Sequence, residues 1–278
     1  MKKLSLNFIN GDFKTNFIEK IIYLFFFSLE ILFEKKTKNY EKKIYIQKFL
    51  KTYKKKLFEY SPSRILMNYY LLNYIKSIKK KNIRILEIGC GDGRNLEIIK
   101  HSKKKFTYFG CDIKNRKSWL YLKKNNIFFF KTNLNYEKKF FSLKNIDFIF
   151  STSVLEHIKY DLSLLIRLNK KFANAKHVHF VPAPISFFNY LLHGYRRYNF
   201  QMLKKIENFI DKKIKITKLG DIQSMNMFFY FLLQKNINHK LSFLFNSKIK
   251  KKLGDIKYYL KKTFSNTYSF ALFYKIEF

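Results

Sequence analysis

Residues 85–93, Ile85-Leu86-Glu87-Ile88-Gly89-Cys90-Gly91-Asp92-Gly93, join an apolar run to an acid and three alternating glycines. Ile83, Ile85, Leu86 and Ile88 read as a short strand covered by helices on both faces, and Asn95-Leu96-Glu97-Ile98-Ile99 as the first turns of a helix. The glycines therefore fall on a strand-to-helix turn. Lacking a Cβ, they permit unusual backbone angles and let a ligand approach closely, while the start of the following helix offers unpaired N–H groups. Such a turn holds something small and polar.

A nicotinamide or flavin site would show G-x-G-x-x-G, with its third glycine packing helix against strand. Here that third position is Arg94. The pattern present, Glu87-x-Gly89-x-Gly91-x-Gly93, resembles motif I of the class I S-adenosylmethionine-dependent methyltransferases. Later segments continue the resemblance. Phe106-Thr107-Tyr108-Phe109-Gly110-Cys111-Asp112 reads as a second strand ending in an acid about twenty residues past the glycines, where a carboxylate accepts from ribose hydroxyls. Ile127 to Phe130 is a third apolar run and leads into Thr132-Asn133-Leu134. Asp147-Phe148-Ile149-Phe150-Ser151-Thr152-Ser153-Val154-Leu155-Glu156-His157-Ile158 is similar to the family's D-x-I-x-S-x-x-x-L-E-H-I segment, read as a strand, a polar turn and a helix start. His177 to Pro182 supplies a fifth strand closed by a proline. Thr267 to Tyr274 reads as the final one, and Tyr198 to Leu203 resembles the start of a late helix in small-molecule members.

The resemblance implies an α/β fold, a Rossmann-like doubly wound and mostly parallel seven-stranded sheet, with S-adenosylmethionine as cofactor at the carboxyl ends of its strands. It places Glu87 near the methionine ammonium and gives Gly89, Gly91 and Gly93 the close backbone approach. Asp112 holds the ribose, Asn133 meets the adenine amino group through its side-chain oxygen, and Ser151 completes the cofactor set. The reaction implied is an in-line displacement, with proximity and alignment providing most of the acceleration. If the nucleophile is a hydroxyl, His157 and His193 are the candidate bases by location.

Three stretches follow: a helical cap over 1–80, a cofactor-binding core over 81–185, and a substrate-side insertion with the last strands over 186–278. In the first, Phe49, Leu50, Tyr53 and Leu57 share one helical face and Lys51, Lys54, Lys55 and Lys56 another. The apolar run from Ile21 to Phe33 contains Glu30 and falls short of the roughly twenty apolar residues of a spanning helix. It is expected to bury against the core, with an interfacial helix aided by Lys35, Lys36 and Lys38 as the alternative. No small-residue cleavage site follows it.

A net charge of +38 over 278 residues ordinarily points to nucleic acid or anionic lipid. Yet only seven of the 57 basic residues are Arg, and Lys travels here with Asn, Ile, Phe and Tyr, the amino acids of A/T-rich codons. Arg, the planar fork preferred for phosphate and base contacts, is scarce. A nucleic-acid partner is therefore not favoured over a small-molecule substrate. Cys90 and Cys111 have no metal-ligand spacing and are expected as reduced thiols in a cytosolic protein, in peripheral contact with the membrane's inner face if the interfacial reading holds. His177 and His179 alternate on one strand without further ligands, so no metal is expected.

The substrate side is read from His193-Gly194-Tyr195-Arg196-Arg197-Tyr198, which places aromatics and two arginines beside the mouth. Tyr195 offers an aromatic wall, and the pair Arg196 and Arg197 can hold a carboxylate or diphosphate. The stretch is similar to H-G-x-R-R-Y in methyltransferases of bacterial surface-sugar synthesis. The expected acceptor is a small molecule, a sugar or lipid-linked envelope intermediate. The alternatives are a nucleic-acid-modifying enzyme and a non-catalytic cofactor-binding regulator of the same fold.

Overall fold

The computed structural model describes residues 62–133, 142–184, 186, 194, 197–219 and 273–278, together with positions 18, 21, 22 and 25. Its strands are β1 (Asn82–Ile88), β2 (Lys105–Asp112), β3 (Ile127–Lys131), β4 (Phe148–Thr152), β5 (Lys176–Pro182), β6 (Lys215–Leu219) and β7 (Phe273–Glu277). The helices are α1 (Pro62–Ser77), α2 (Asn95–His101), α3 (Ser118–Leu122), α4 (Asp161–Lys171) and α5 (Phe200–Ile210). The strands form one seven-stranded sheet in the order β3-β2-β1-β4-β5-β7-β6. β1 is central, parallel to β2 on one side and β4 on the other, with Leu86 opposite both Phe109 and Ile149. Only β7 runs against the rest, pairing antiparallel with β5 and β6.

Side chains alternate along each strand, so every strand feeds two cores. Ile83 and Ile85 join Phe148, Phe150, Val178 and Phe180 on the face covered by α1, α2 and Trp119 of α3. Leu86 and Ile88 join Ile149 and Val181 on the face covered by α4 and α5. Both faces being covered explains why the strands read as continuous apolar runs. The order of crossovers reverses beside β1. That is the switch point, the place at the carboxyl ends of the strands where open α/β sheets bind their ligands.

Four local expectations change. α1 lies inside the stretch read as a cap, yet Ile65, Leu66, Leu71 and Ile75 are buried against the sheet, so this helix belongs to the core layer. The segment Leu155–His157 is a single 3₁₀ turn rather than the start of the helix, which begins at Asp161. The last strand runs past Tyr274 to Glu277, and Lys275 and Glu277 form an ion pair at 2.8 Å within it. Thr267 to Leu272 lie outside the described residues, as do Phe49 to Leu57. Ile18, Ile21, Ile22 and Phe25 are helical, but at 47–68% exposure they are not buried against the core. Among the described residues no helix is long and apolar enough to cross a membrane.

Candidate functional site

The glycine turn connects β1 to α2, and its three glycines have separate tasks. Gly89 has φ +66°, and a Cβ built on it would lie 2.3 Å from Cγ1 of Val154. A Cβ on Gly93 would press on Leu122 and on the ring of Phe129. Gly91, at φ +50°, would meet nothing within 4 Å. Two glycines thus serve packing, and the middle one leaves open space beside its backbone.

Asp112, at the carboxyl end of β2, governs that middle glycine. Its Oδ2 accepts from the Gly91 N–H at 2.9 Å and its Oδ1 from the Lys114 N–H at 3.0 Å. The indole N–H of Trp119 donates to the Gly91 carbonyl at 2.8 Å, so both backbone polar groups of Gly91 are fixed. The Cys90 N–H donates to the Cys111 carbonyl at 2.9 Å, tying the turn to β2. A carboxylate has about four acceptor sites, so two amide donors leave room for hydroxyls of a ligand. Open space at Gly91 beside that acceptor fits the ribose end of S-adenosylmethionine.

Beneath the turn is a buried polar knot. Asn95 Nδ2 donates to Glu87 Oε1 at 2.7 Å and to Thr152 Oγ1 at 3.1 Å, and the Tyr108 hydroxyl donates to Glu87 Oε2 at 2.5 Å. Both Glu87 oxygens are engaged internally, and the residue is 1% exposed. Burial pushes its carboxyl up to about 7, opposed by the hydrogen bonds from Tyr108 and Asn95 and by the charge of Arg64. Glu87 braces β1, β2 and α2 from below in this conformation, instead of presenting its oxygens to the cleft. Burial likewise pushes the Cys90 and Cys111 thiols far above their ordinary range. Both cysteines are free.

The 3₁₀ turn meets part of the stretch read from sequence as the substrate side. Val154 presses on Gly89, while Gly194, at φ +81°, lies against the next peptide but one: its built Cβ would be 2.7 Å from the Glu156 carbonyl oxygen. Glu156 is 1% exposed, and burial pushes it up to about 7 against the charges of Arg197 and Arg64. His157 Nε2 is 3.9 Å from Glu156 Oε1. Tyr198 donates its hydroxyl to Asp161 and its N–H to the Pro182 carbonyl. The cofactor turn, the 3₁₀ turn and Gly194 are therefore in direct contact.

Of the residues predicted from sequence, Gly89, Gly91, Gly93 and Asp112 meet at the mouth, and Asn133 follows β3 at the same end of the sheet. Ser151 does not: it is fully buried, and its hydroxyl is paired with His179 Nδ1 at 2.9 Å. Arg197 is buried at 1% exposure beside Glu156 rather than displayed to a substrate. His193, Tyr195 and Arg196 lie outside the described residues. His177 is stacked on Phe278 at 4.5 Å, and burial holds both it and His179 below the usual imidazole range. Asn95, Tyr108, Glu156 and Arg64 were missed. An asparagine opening a helix was a visible signal for the first, whereas the others depend on which strands become neighbours.

A family model described as a methyltransferase domain matches residues 53–184. No curated protein matches the chain. Among solved structures, the plantazolicin methyltransferase BamL, in complex with a triazolic desmethylPZN analogue and SAH, aligns at 14% identity with a TM-score of 0.51, covering 83% of this chain and 87% of that one. At that identity the likeness is one of fold. A SAM-dependent methyltransferase from Archaeoglobus fulgidus aligns at 18% identity and a TM-score of 0.48, covering 84% and 99%. Phosphoethanolamine N-methyltransferase 2 of Haemonchus contortus aligns at 15% and 0.49, covering 76% of this chain and 51% of its own. The glycine turn, the seven-stranded sheet and the methyltransferase-domain match over residues 53–184 together support an enzyme of the class I S-adenosylmethionine-dependent methyltransferase type, with S-adenosylmethionine as its cofactor.

Proposed function

We propose that this enzyme methylates a small molecule, a sugar or lipid-linked intermediate of envelope synthesis, and that Asp112 and the Gly91 peptide hold its cofactor. The observation that carries the cofactor assignment is the Asp112 carboxylate, which grips the Gly91 and Lys114 amides while open space remains beside Gly91. When bound, S-adenosylmethionine supplies an activated methyl on a sulfonium. The chain's part is alignment: Asp112 accepts from ribose hydroxyls, Asn133 meets the adenine, and Glu87 holds the turn rigid through Asn95 and Tyr108. His157 lies on the turn facing Gly194, which supports it as the group that takes a proton from an acceptor hydroxyl, with His193 as the second candidate. Tyr195 and Arg196 would line the acceptor's path, and Arg197 would fix that segment through Glu156.

S-adenosylhomocysteine should raise the melting temperature of the full chain and bind saturably in calorimetry. Asp112→Ala should weaken that binding by about tenfold or more. Unchanged affinity would remove Asp112 from the site. A methyl-transfer screen over nucleotide sugars, lipid-linked sugars and RNA then tests the acceptor; selective transfer to RNA would replace the small-molecule reading.

Peripheral membrane contact belongs to the same proposal. Ile18, Ile21, Ile22 and Phe25 are spaced i, i+3, i+4 and i+7 on a helix, are substantially exposed, and belong to a chain of net charge +38. Sedimentation with vesicles containing phosphatidylglycerol should be salt-sensitive and should fall when Ile21 and Ile22 are both changed to Asp. Equal sedimentation of the variant would exclude this helix as the contact.

A further inference from the structure

We propose that the end of the sheet opposite the glycine turn carries a second binding site, for a small phosphate monoester. A cavity of about 330 Å³ lies between α1 and strands β5, β7 and β6. Lys176 and Lys215 open β5 and β6, while Lys275 and Glu277 lie on the antiparallel β7, so four charged residues converge at the amino ends of the parallel strands. The register explains the convergence: Glu277 is opposite both Val178 and Lys215, and Lys275 is two residues away on the same face. α1 contributes Tyr70 and Asn73 to the opposite wall. None of these groups takes part in the glycine turn.

Three lysines and one carboxylate line the cavity. Lys275 Nζ is 2.8 Å and Lys215 Nζ 3.6 Å from the Glu277 carboxylate, and Lys176 adds a third positive charge to the cavity lining. A lysine present only through biased composition sits on a solvated face. Lys275 instead is 7% exposed, on the inward side of its strand, with its ammonium 4.9 Å from the centre of the Tyr70 ring. Burying an ammonium is costly unless it is paired, and here the local excess is two positive charges. A phosphate monoester carries nearly two negative charges at neutral pH and offers three acceptor oxygens, which matches that excess. Lys176 and Lys215, exposed at the rim, reach an anion entering from solvent, and the Asn73 amide and Tyr70 ring meet a small polar body attached to it.

The test is calorimetry on the full chain at about 0.15 M salt, where long-range attraction is screened, with glucose 1-phosphate as probe and glucose as its uncharged control. Saturable one-to-one binding of glucose 1-phosphate, and none of glucose, is expected. Lys176→Ala, at an exposed position that leaves folding intact, should weaken binding about tenfold, and Lys275→Met at least as much. Glu277→Gln should tighten it several-fold by enlarging the positive excess. A Lys170→Ala, Lys171→Ala double variant removes more charge elsewhere on the surface and should change nothing. S-adenosylhomocysteine affinity, read in parallel, should be the same in every variant, which separates failure of this site from failure of the methyltransferase site. Absence of saturable binding at millimolar probe, or equal weakening by the control pair and by Lys176→Ala, would mean non-specific anion adsorption and overturn the proposal.

Discussion

Gly89 and Gly91 stand two positions apart with nearly opposite surroundings. Both have positive φ, but a methyl group on Gly89 would collide with Val154, and one on Gly91 would enter open space. Gly89→Ala should therefore cost roughly 3 kcal/mol of stability in urea denaturation, from strain and overpacking together. Gly91→Ala should cost only about 1 kcal/mol of backbone strain, with its larger effect on S-adenosylhomocysteine affinity, since the new methyl would occupy the ligand's side of the turn. Similar losses of stability in both would contradict the division of labour. Glu156 offers a second residue-scale test. Its carboxyl is pushed from 4.5 to about 7, so the folded chain retains a proton that the unfolded chain has released. That contribution to stability is fully present below about 4.5 and is lost as pH rises to about 7. Glu156→Gln cannot titrate, so its stability relative to wild type should rise between pH 4.5 and 8, on the order of 3 kcal/mol. A pH-independent difference would show that Glu156 ionises normally.

The elements differ in how much of their placement was written locally. β1 and its turn were legible because a covered strand, an acid and alternating glycines are all contiguous. Asp112 was legible because its distance from the glycines is set by one helix and one strand. α5 was announced by Asn199, whose side chain accepts from the Met202 N–H at 2.8 Å and caps the helix. Asn199→Ala should cost about 1 kcal/mol of stability, measurable by chemical denaturation. The contact of Gly89, Val154, Glu156 and Gly194 was not legible, because it joins residues that only the sheet order brings together. Ser151 was misplaced for a related reason. Alternation sends its hydroxyl to the face covered by α4 and α5, where it meets His179, and one residue of shift decides which face a strand side chain meets.

At the scale of the molecule, the large positive charge acts on partners more than on the fold. Binding of a non-specific RNA should collapse between low and physiological salt, following counterion release, whereas S-adenosylhomocysteine affinity should change little. Titrations of both ligands at two salt concentrations separate these behaviours; RNA affinity that survives high salt would restore nucleic acid as the substrate class. Composition could not make this distinction, since lysine count is silent about which lysines face inward. Lys275 is one that does, and it is paired there with Glu277.

β7 fills the gap between β5 and β6 with residues far from both in sequence. During synthesis, β5 emerges from the ribosome about ninety residues before residue 273, and throughout that interval its outer backbone edge has no native strand to pair with. The nascent chain thus carries an adhesive ribbon that only its own late segment silences, which makes it a natural client for chaperones that shield unpaired edges. Translation halted before residue 273 should release an aggregating product even though the entire cofactor turn has already been made.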